Sequence, residues 1–150
     1  MALIEKGTKA PDFTLKNQSK EDVSLRDFAG KKVLISFHPL AFTPVCTDQM
    51  RELERRYDEF EAKGVVPLGI SVDPAPAKTV WAKNLILDKL NILADFNPLG
   101  EMSKAYGNFV DKEGFSGRAN VLIDEDGQVI WSKQYRLSEL PDVDEVLEQL

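Results

Sequence analysis

The spacing of apolar positions changes period several times along the chain, and each change predicts an element. Phe13-Thr14-Leu15 and Val23-Ser24-Leu25 alternate apolar and polar residues on either side of a polar run from Asn17 to Asp22. That pattern predicts two short strands around a turn. Val33 to Phe37 is continuous rather than alternating, as expected of a strand covered on both faces. From Pro44 the period lengthens. Met50, Leu53, Tyr57 and Phe60 recur at helical spacing, which predicts a helix over residues 44–63 with Gly64 as its C′ residue. Arg51, Glu52, Arg55, Arg56 and Glu59 form its solvated face, with Glu52 and Arg56 in the favourable i, i+4 order. Val65 to Ser71 reads as a second strand. Asp73-Pro74 then opens a helix with Val80, Trp81 and Leu85 on one side. A short strand follows at Asn91 to Ala94 and a short helix at Gly100 to Tyr106. Asn120 to Asp124 and Val129 to Gln134 flank Glu125-Asp126-Gly127, where Asp-Gly signals a hairpin. Val143, Val146, Leu147 and Leu150 give the last helix an apolar stripe. This order predicts an α/β sandwich, a central mixed sheet with helices on both faces.

Length and composition narrow the picture. At 150 residues, with no repeat, linker or low-complexity tract, residues 1–150 are expected to form a single domain. One cysteine excludes an intrachain disulfide and fits a reducing compartment. Met1 to Gly7 lacks the basic-then-apolar pattern of a secretory leader, and no apolar run approaches the roughly 18 residues that span a bilayer. The net charge of −6, with no basic cluster to offset it, argues against nucleic acid as a partner. The expectation is a cytoplasmic protein that binds neither membrane nor nucleic acid.

The candidate chemistry lies where the first buried strand meets the first long helix. The stretch reads Phe37-His38-Pro39-Leu40-Ala41-Phe42-Thr43-Pro44-Val45-Cys46-Thr47. The pattern puts Cys46 in or near the first helical turn, where unpaired N–H groups and the positive end of the helix dipole converge. Such an environment favours thiolate over thiol. A free cysteine can equally be a small buried hydrophobe, so position alone leaves the two readings even.

Pro39-x-x-x-Thr43-x-x-Cys46 resembles the PxxxTxxC signature of the peroxiredoxins, the AhpC/TSA family, and the wider string is similar to its one-cysteine members. Gly7-x-x-Ala10-Pro11-Asp12-Phe13-x-Leu15 resembles the family's opening. Gly69-Ile70-Ser71-Val72-Asp73 followed by Trp81-Ala82 resembles its middle. Arg118 before Val121-Leu122-Ile123-Asp124-x-x-Gly127 resembles its distal arginine. Length and middle are most similar to the short alkyl hydroperoxide reductase E group. The resemblance implies a thioredoxin-like fold and a thiol-dependent peroxidase that reduces hydrogen peroxide and organic hydroperoxides through a Cys46 sulfenic acid. It further implies a homodimer, with no cofactor.

Reducing a peroxide requires a thiolate nucleophile, an O–O bond aligned with sulfur, and donors for the departing oxyanion. Cys46 supplies the sulfur. Thr43 can cap the helix, and by resemblance its hydroxyl also bonds the peroxide. Pro39 can simply end a strand, and by resemblance its rigid ring shields the thiolate. An isolated arginine is usually a surface residue, but by resemblance the Arg118 guanidinium stands beside the sulfur. Gln49 departs from the glutamate of many relatives. It keeps hydrogen-bonding capacity, loses the charge, and puts a carboxylate–arginine pair behind the site in doubt. Trp81 matches a family tryptophan, though core packing is the simpler reading.

His38, the only histidine, raises a cysteine hydrolase as an alternative, but no further motif residue supports it. One Cys and one His do not make a metal site. Arg51 occupies the place where one group of relatives carries a resolving cysteine, so an external thiol must regenerate Cys46. Thioredoxin, a glutaredoxin-like protein and a low-molecular-weight thiol all qualify. Two other readings use the same chain differently. One is a peroxide sensor or redox relay that oxidises a partner through Cys46. The other is a thioredoxin-like binding or dimerisation module with an idle cysteine.

Overall fold

The computed structural model describes residues 2–150. Nine strands and five helices follow one another as β1 (Thr14–Lys16), β2 (Asp22–Ser24), a 3₁₀ turn (Leu25–Phe28), β3 (Lys32–Phe37), α1 (Pro44–Arg55), α2 (Tyr57–Ala62), β4 (Val65–Ser71), α3 (Ala75–Leu85), β5 (Asn91–Ala94), α4 (Glu101–Ala105), β6 (Phe109–Val110), β7 (Phe115–Ser116), β8 (Arg118–Ile123), β9 (Val129–Tyr135) and α5 (Val143–Leu147). Seven strands make one sheet in the order β2-β1-β5-β4-β3-β8-β9. β3, β4 and β5 run parallel, while β8 is antiparallel to β3 and β9 to β8. The mixed sheet with helices on both faces is as the residue pattern predicts.

The continuous apolar run of β3 divides between the two faces. Val33, Ile35 and Phe37 join Leu68, Ile70, Leu93, Val121 and Ile123 on one side, under Phe13, Met102 of α4 and Tyr106 just after that helix. Leu34 joins Ile92 and Leu122 on the other, under Met50, Leu53, Phe60, Trp81, Leu85, Val143 and Val146 of the remaining helices. Gly69 in β4 makes room for the Met50 side chain of α1. A Cβ there would collide with the Met50 sulfur, so that side chain packs directly over the β4 backbone.

The structure corrects several expectations. The helix predicted over residues 44–63 is two helices. Arg56 breaks it with φ −100° and ψ 11°, and the Arg56 side chain pairs with Glu59 and with Asp144 of α5. Gly64 ends the second helix with φ +72°, as its C′ placement requires. Val80 faces solvent, and the buried stripe of α3 is Lys78, Trp81, Ala82 and Leu85. Leu150 lies beyond α5 and is exposed. The hairpin β6–β7 and the 3₁₀ turn carry no expectation from the sequence pattern, because each is too short to show a period.

Candidate active site

Strand β3 delivers Phe37 to the end of the sheet, and residues 38–43 cross from there to α1. His38 and Pro39 are both buried. Ala41 is held by its N–H, which donates to Asp73 Oδ2 at 2.8 Å. Phe42 adopts a left-handed backbone (φ 67°), an uncommon conformation for a bulky residue that costs on the order of 1 kcal/mol. Its ring centroid lies 6.1 Å from that of Trp81. Thr43 returns the chain to extended geometry at the N-cap position, and Pro44 starts the helix with its preset φ. Cys46 is then the third helical residue, fully buried in the core that includes Met50 and Trp81.

Thr43 occupies the N-cap position but does not cap the helix with its side chain. Its hydroxyl instead donates to the Leu40 carbonyl at 2.7 Å, bracing the loop from within. The hydroxyl has one proton to donate, and that proton is taken. Its lone pairs remain able to accept.

Arg118 opens β8, far from Cys46 in sequence and beside it in space. β8 pairs with β3 so that Ala119 faces Phe37, which sets Arg118 at the end of the sheet where β3 gives way to the loop. Its Nη1 lies 3.3 Å from Cys46 Sγ. The same nitrogen donates to Gln49 Oε1 at 2.6 Å, while Nε and Nη2 donate to the Leu137 carbonyl at 3.2 and 2.8 Å. These bonds fix the guanidinium plane before any substrate arrives. Gln49 is fixed in turn, with Nε2 donating to Ser36 Oγ (2.7 Å) and the Phe37 carbonyl (3.1 Å). The contact between residues 49 and 118 thus persists as a neutral hydrogen bond. A glutamate here would neutralise the arginine, whereas glutamine leaves its charge for the sulfur.

His38 does not serve the cysteine as a base. Burial, then Lys78, then Arg118 hold its pKa well below the ordinary 6.5, against a smaller opposing contribution from the Ser36 carbonyl. The ring is therefore neutral, and its Nε2 lies 3.3 Å from Lys78 Nζ. Trp81 is core, as its bland reading holds, yet it also backs the site, with its ring centroid 5.3 Å from His38 and near Phe42.

Residue-pattern reasoning missed Lys78, Ser71 and Asp73. The Lys78 ammonium is fully buried, donates to Ser71 Oγ and sits 5.6 Å from the Trp81 ring centroid. Burial pushes its pKa down to about 8, while Asp73, Cys46 and Asp95 resist the shift. A signal was available: residues 78, 81, 82 and 85 fall at i, i+3, i+4 and i+7, so the lysine occupies a core position of α3.

Comparison with known proteins identifies the family and the fold. The family model described as the AhpC/TSA family matches residues 6–132. Alkyl hydroperoxide reductase E of Mycobacterium tuberculosis is 36% identical over 141 residues, covering 93% of this chain and 92% of that one. Peroxiredoxin 2 of Thermoplasma acidophilum is 35% identical over 146 residues, covering 94% of this chain and 72% of that one. Among solved structures, the reduced 2-Cys peroxiredoxin of Plasmodium vivax superposes with a TM-score of 0.86 at 33% identity, covering 95% of this chain and 78% of that one. The AhpC of Mycobacterium tuberculosis, at 24% identity and a TM-score of 0.87 over 98% of this chain and 96% of that one, shares the fold. The fold is thioredoxin-like, and this chain, with its single cysteine, belongs to the AhpC/TSA family of peroxiredoxins.

Proposed function

We propose that Cys46 is the peroxidatic thiol of a thiol-dependent peroxidase, with Arg118, Thr43 and Pro39 completing its site. The observation that carries this reading is the 3.3 Å contact between Arg118 Nη1 and Cys46 Sγ, made by a guanidinium whose other partners are neutral oxygens. The Cys46 thiolate attacks one peroxide oxygen. An S–O bond forms as the O–O bond breaks, and the leaving alkoxide or hydroxide takes a proton to become alcohol or water. Sulfur is oxidised to sulfenic acid and the peroxide is reduced. Arg118 stabilises the thiolate before this step and the leaving oxyanion during it. The Thr43 hydroxyl, its proton engaged by Leu40, accepts a hydrogen bond from the hydroperoxide O–H and aligns the O–O bond with sulfur. Pro39, buried and without an N–H, limits the water that would compete for the thiolate.

Cys46 is the only cysteine, so the second half-reaction uses outside thiols. One thiol displaces water from the sulfenic acid to form a mixed disulfide. A second attacks that disulfide, releasing the Cys46 thiolate and an oxidised dithiol. Thioredoxin, a glutaredoxin-like protein or a small thiol each satisfies this scheme. Leu40 and Phe42 are exposed beside the loop, and no charged residue lies between Pro39 and Thr43, so the mouth accommodates organic hydroperoxides as well as hydrogen peroxide. We further propose that residues 1–150 act as one domain, in the cytoplasm, as a homodimer. No helix among the described residues is long and apolar enough to cross a membrane.

Stopped-flow oxidation by hydrogen peroxide and by cumene hydroperoxide tests the reading, with Cys46→Ser as the comparison. The expected result is complete loss of peroxidase turnover with unchanged circular dichroism. Substantial turnover by the serine variant would sink it.

A further inference from the structure

A buried lysine at a core position requires a reason, because burying an ammonium is costly unless it is paired and hydrogen-bonded. Lys78 is fully buried on the face of α3 turned toward the site. Its ammonium has only donors. One goes to Ser71 Oγ, and another meets His38 Nε2, which must therefore accept, leaving the imidazole proton on Nδ1. The Ser71 hydroxyl passes the connection on, donating to Asp73 Oδ2 at 2.5 Å. That same carboxylate oxygen accepts the Ala41 N–H at 2.8 Å. An unbroken path of hydrogen bonds therefore runs from the Lys78 ammonium through Ser71 and Asp73 to the backbone of the Pro39–Thr43 loop. His38, immediately before that loop, is bonded to the same ammonium.

We propose that Lys78 is a positioning residue for the Cys46 reaction, clamping the Pro39–Thr43 loop through Ser71 and Asp73 while adding a second buried cation to the field at the sulfur. The groups that face it come from separate parts of the chain. They are Ser71 at the end of β4, Asp73 ahead of α3, His38 at the end of β3, Asp95 after β5 and Cys46 in α1, with Trp81 of α3 itself beneath the ammonium. His38 feels the charge of both Lys78 and Arg118, so the two cations act on one neighbourhood. Their roles differ. Arg118 touches the sulfur, and Lys78 acts through the loop and through space.

The charge on Lys78 has a pH limit. Its ammonium discharges as pH rises through about 8, and the contribution disappears with it. The predicted consequence is a fall in the rate of peroxide reduction as pH rises through that value, superimposed on the increase due to thiolate formation. Removing Asp73's negative charge removes a stabiliser of the ammonium, so the fall moves to lower pH in Asp73→Asn.

The inference rests on Cys46 as the peroxidatic thiol, which Cys46→Ser tests separately. Stopped-flow oxidation by hydrogen peroxide across pH 5 to 9.5, with thiolate absorbance titrated in parallel, tests the inference itself. Lys78→Met keeps an apolar stem and removes the charge. It is expected to raise the Cys46 titration midpoint, to slow the reaction about three- to tenfold at neutral pH, and to abolish the fall above pH 8. A folded Lys78→Met protein with the wild-type titration and profile would overturn the proposal. Should that variant fail to fold, the wild-type profile and Asp73→Asn still decide. No fall in the wild type, or a fall that Asp73→Asn does not move, would equally overturn it. An inactive Cys46→Ser beside an unaltered Lys78→Met would reject the role of Lys78 and leave the peroxidase reading standing.

Discussion

Arg118→Met separates what the guanidinium does before the reaction from what it does during it. The substitution keeps much of the apolar stem and removes the charge. At the 3.3 Å separation of Nη1 and Sγ, the ion pair is worth about 5 kcal/mol at an effective dielectric of about 20 and about 1 kcal/mol at that of bulk water. Both side chains are almost fully shielded from solvent, so the larger figure is the more relevant. Each loss of about 1.4 kcal/mol of interaction corresponds to one pH unit in the thiolate midpoint. The direction is fixed: removing a cation disfavours the thiolate, so the midpoint moves up. The variant also leaves the Leu137 carbonyl without two donors and Gln49 Oε1 without its 2.6 Å partner. Each lost partner costs about 1–3 kcal/mol, partly offset because a buried charge no longer has to be desolvated.

Titration of thiolate absorbance and stopped-flow rates over the same pH range provide the assay. At pH 7 the variant is slowed by both effects. Well above both midpoints, where each protein is all thiolate, the deficit that remains belongs to the transition state. It is expected to be on the order of 10²-fold, the usual cost of losing one preorganised oxyanion donor. A midpoint and a high-pH plateau both equal to wild type would refute the role assigned to Arg118. A shifted midpoint with an equal plateau would confine it to the ground state.

Gly69→Ala is expected to destabilise the fold by about 1–3 kcal/mol in chemical denaturation, because its Cβ meets the Met50 sulfur beneath α1; an unchanged midpoint would show that α1 gives way freely. His38 binds a proton in the unfolded chain below its ordinary 6.5 and resists doing so when folded, so stability falls as pH drops below that value by up to about 1.4 kcal/mol per unit. His38→Phe should flatten the slope between pH 6.5 and 5, and an identical slope would place the acid sensitivity elsewhere. Sedimentation of reduced and peroxide-treated protein tests the dimer: association is expected in the reduced state and is expected to weaken on oxidation, because sulfenic acid formation disturbs the loop carrying the exposed Leu40 and Phe42. A concentration-independent monomer would exclude it.

The elements with a strong period were legible in the sequence, and so were the residues tied to a compact motif. The continuous apolar run of β3 and the stripe of α1 required only single-chain patterning. Pro39, Thr43 and Cys46 lie within eight residues of one another. What escaped depends on contacts between distant segments. Arg56 carries no glycine or proline to mark a helix break, and its ion pair with Asp144 joins residues 88 positions apart. Thr43 was legible as an N-cap, but a hydroxyl turned back to the Leu40 carbonyl follows from the loop's own path, including the left-handed Phe42. Trp81 and Leu85 are consumed by the core, and Ile86 and Val80 are the exposed apolar residues of that segment.

Two features, the first legible in the sequence and the second not, concern the sign of the charge at the sulfur, and they act in the same direction. Glutamine at position 49 binds Arg118 without neutralising it. Lysine at position 78 occupies a helix core position where the pattern favours an apolar residue. Either change alone raises a question of compensation: an arginine with its charge unmatched, or an ammonium without water. Together they leave two buried cations near one thiol, with the carboxylate of Asp73 held at one remove behind the Ser71 hydroxyl. Both cations favour a thiolate over a thiol at position 46, while Asp73 and Asp95 supply the negative charge that faces Lys78.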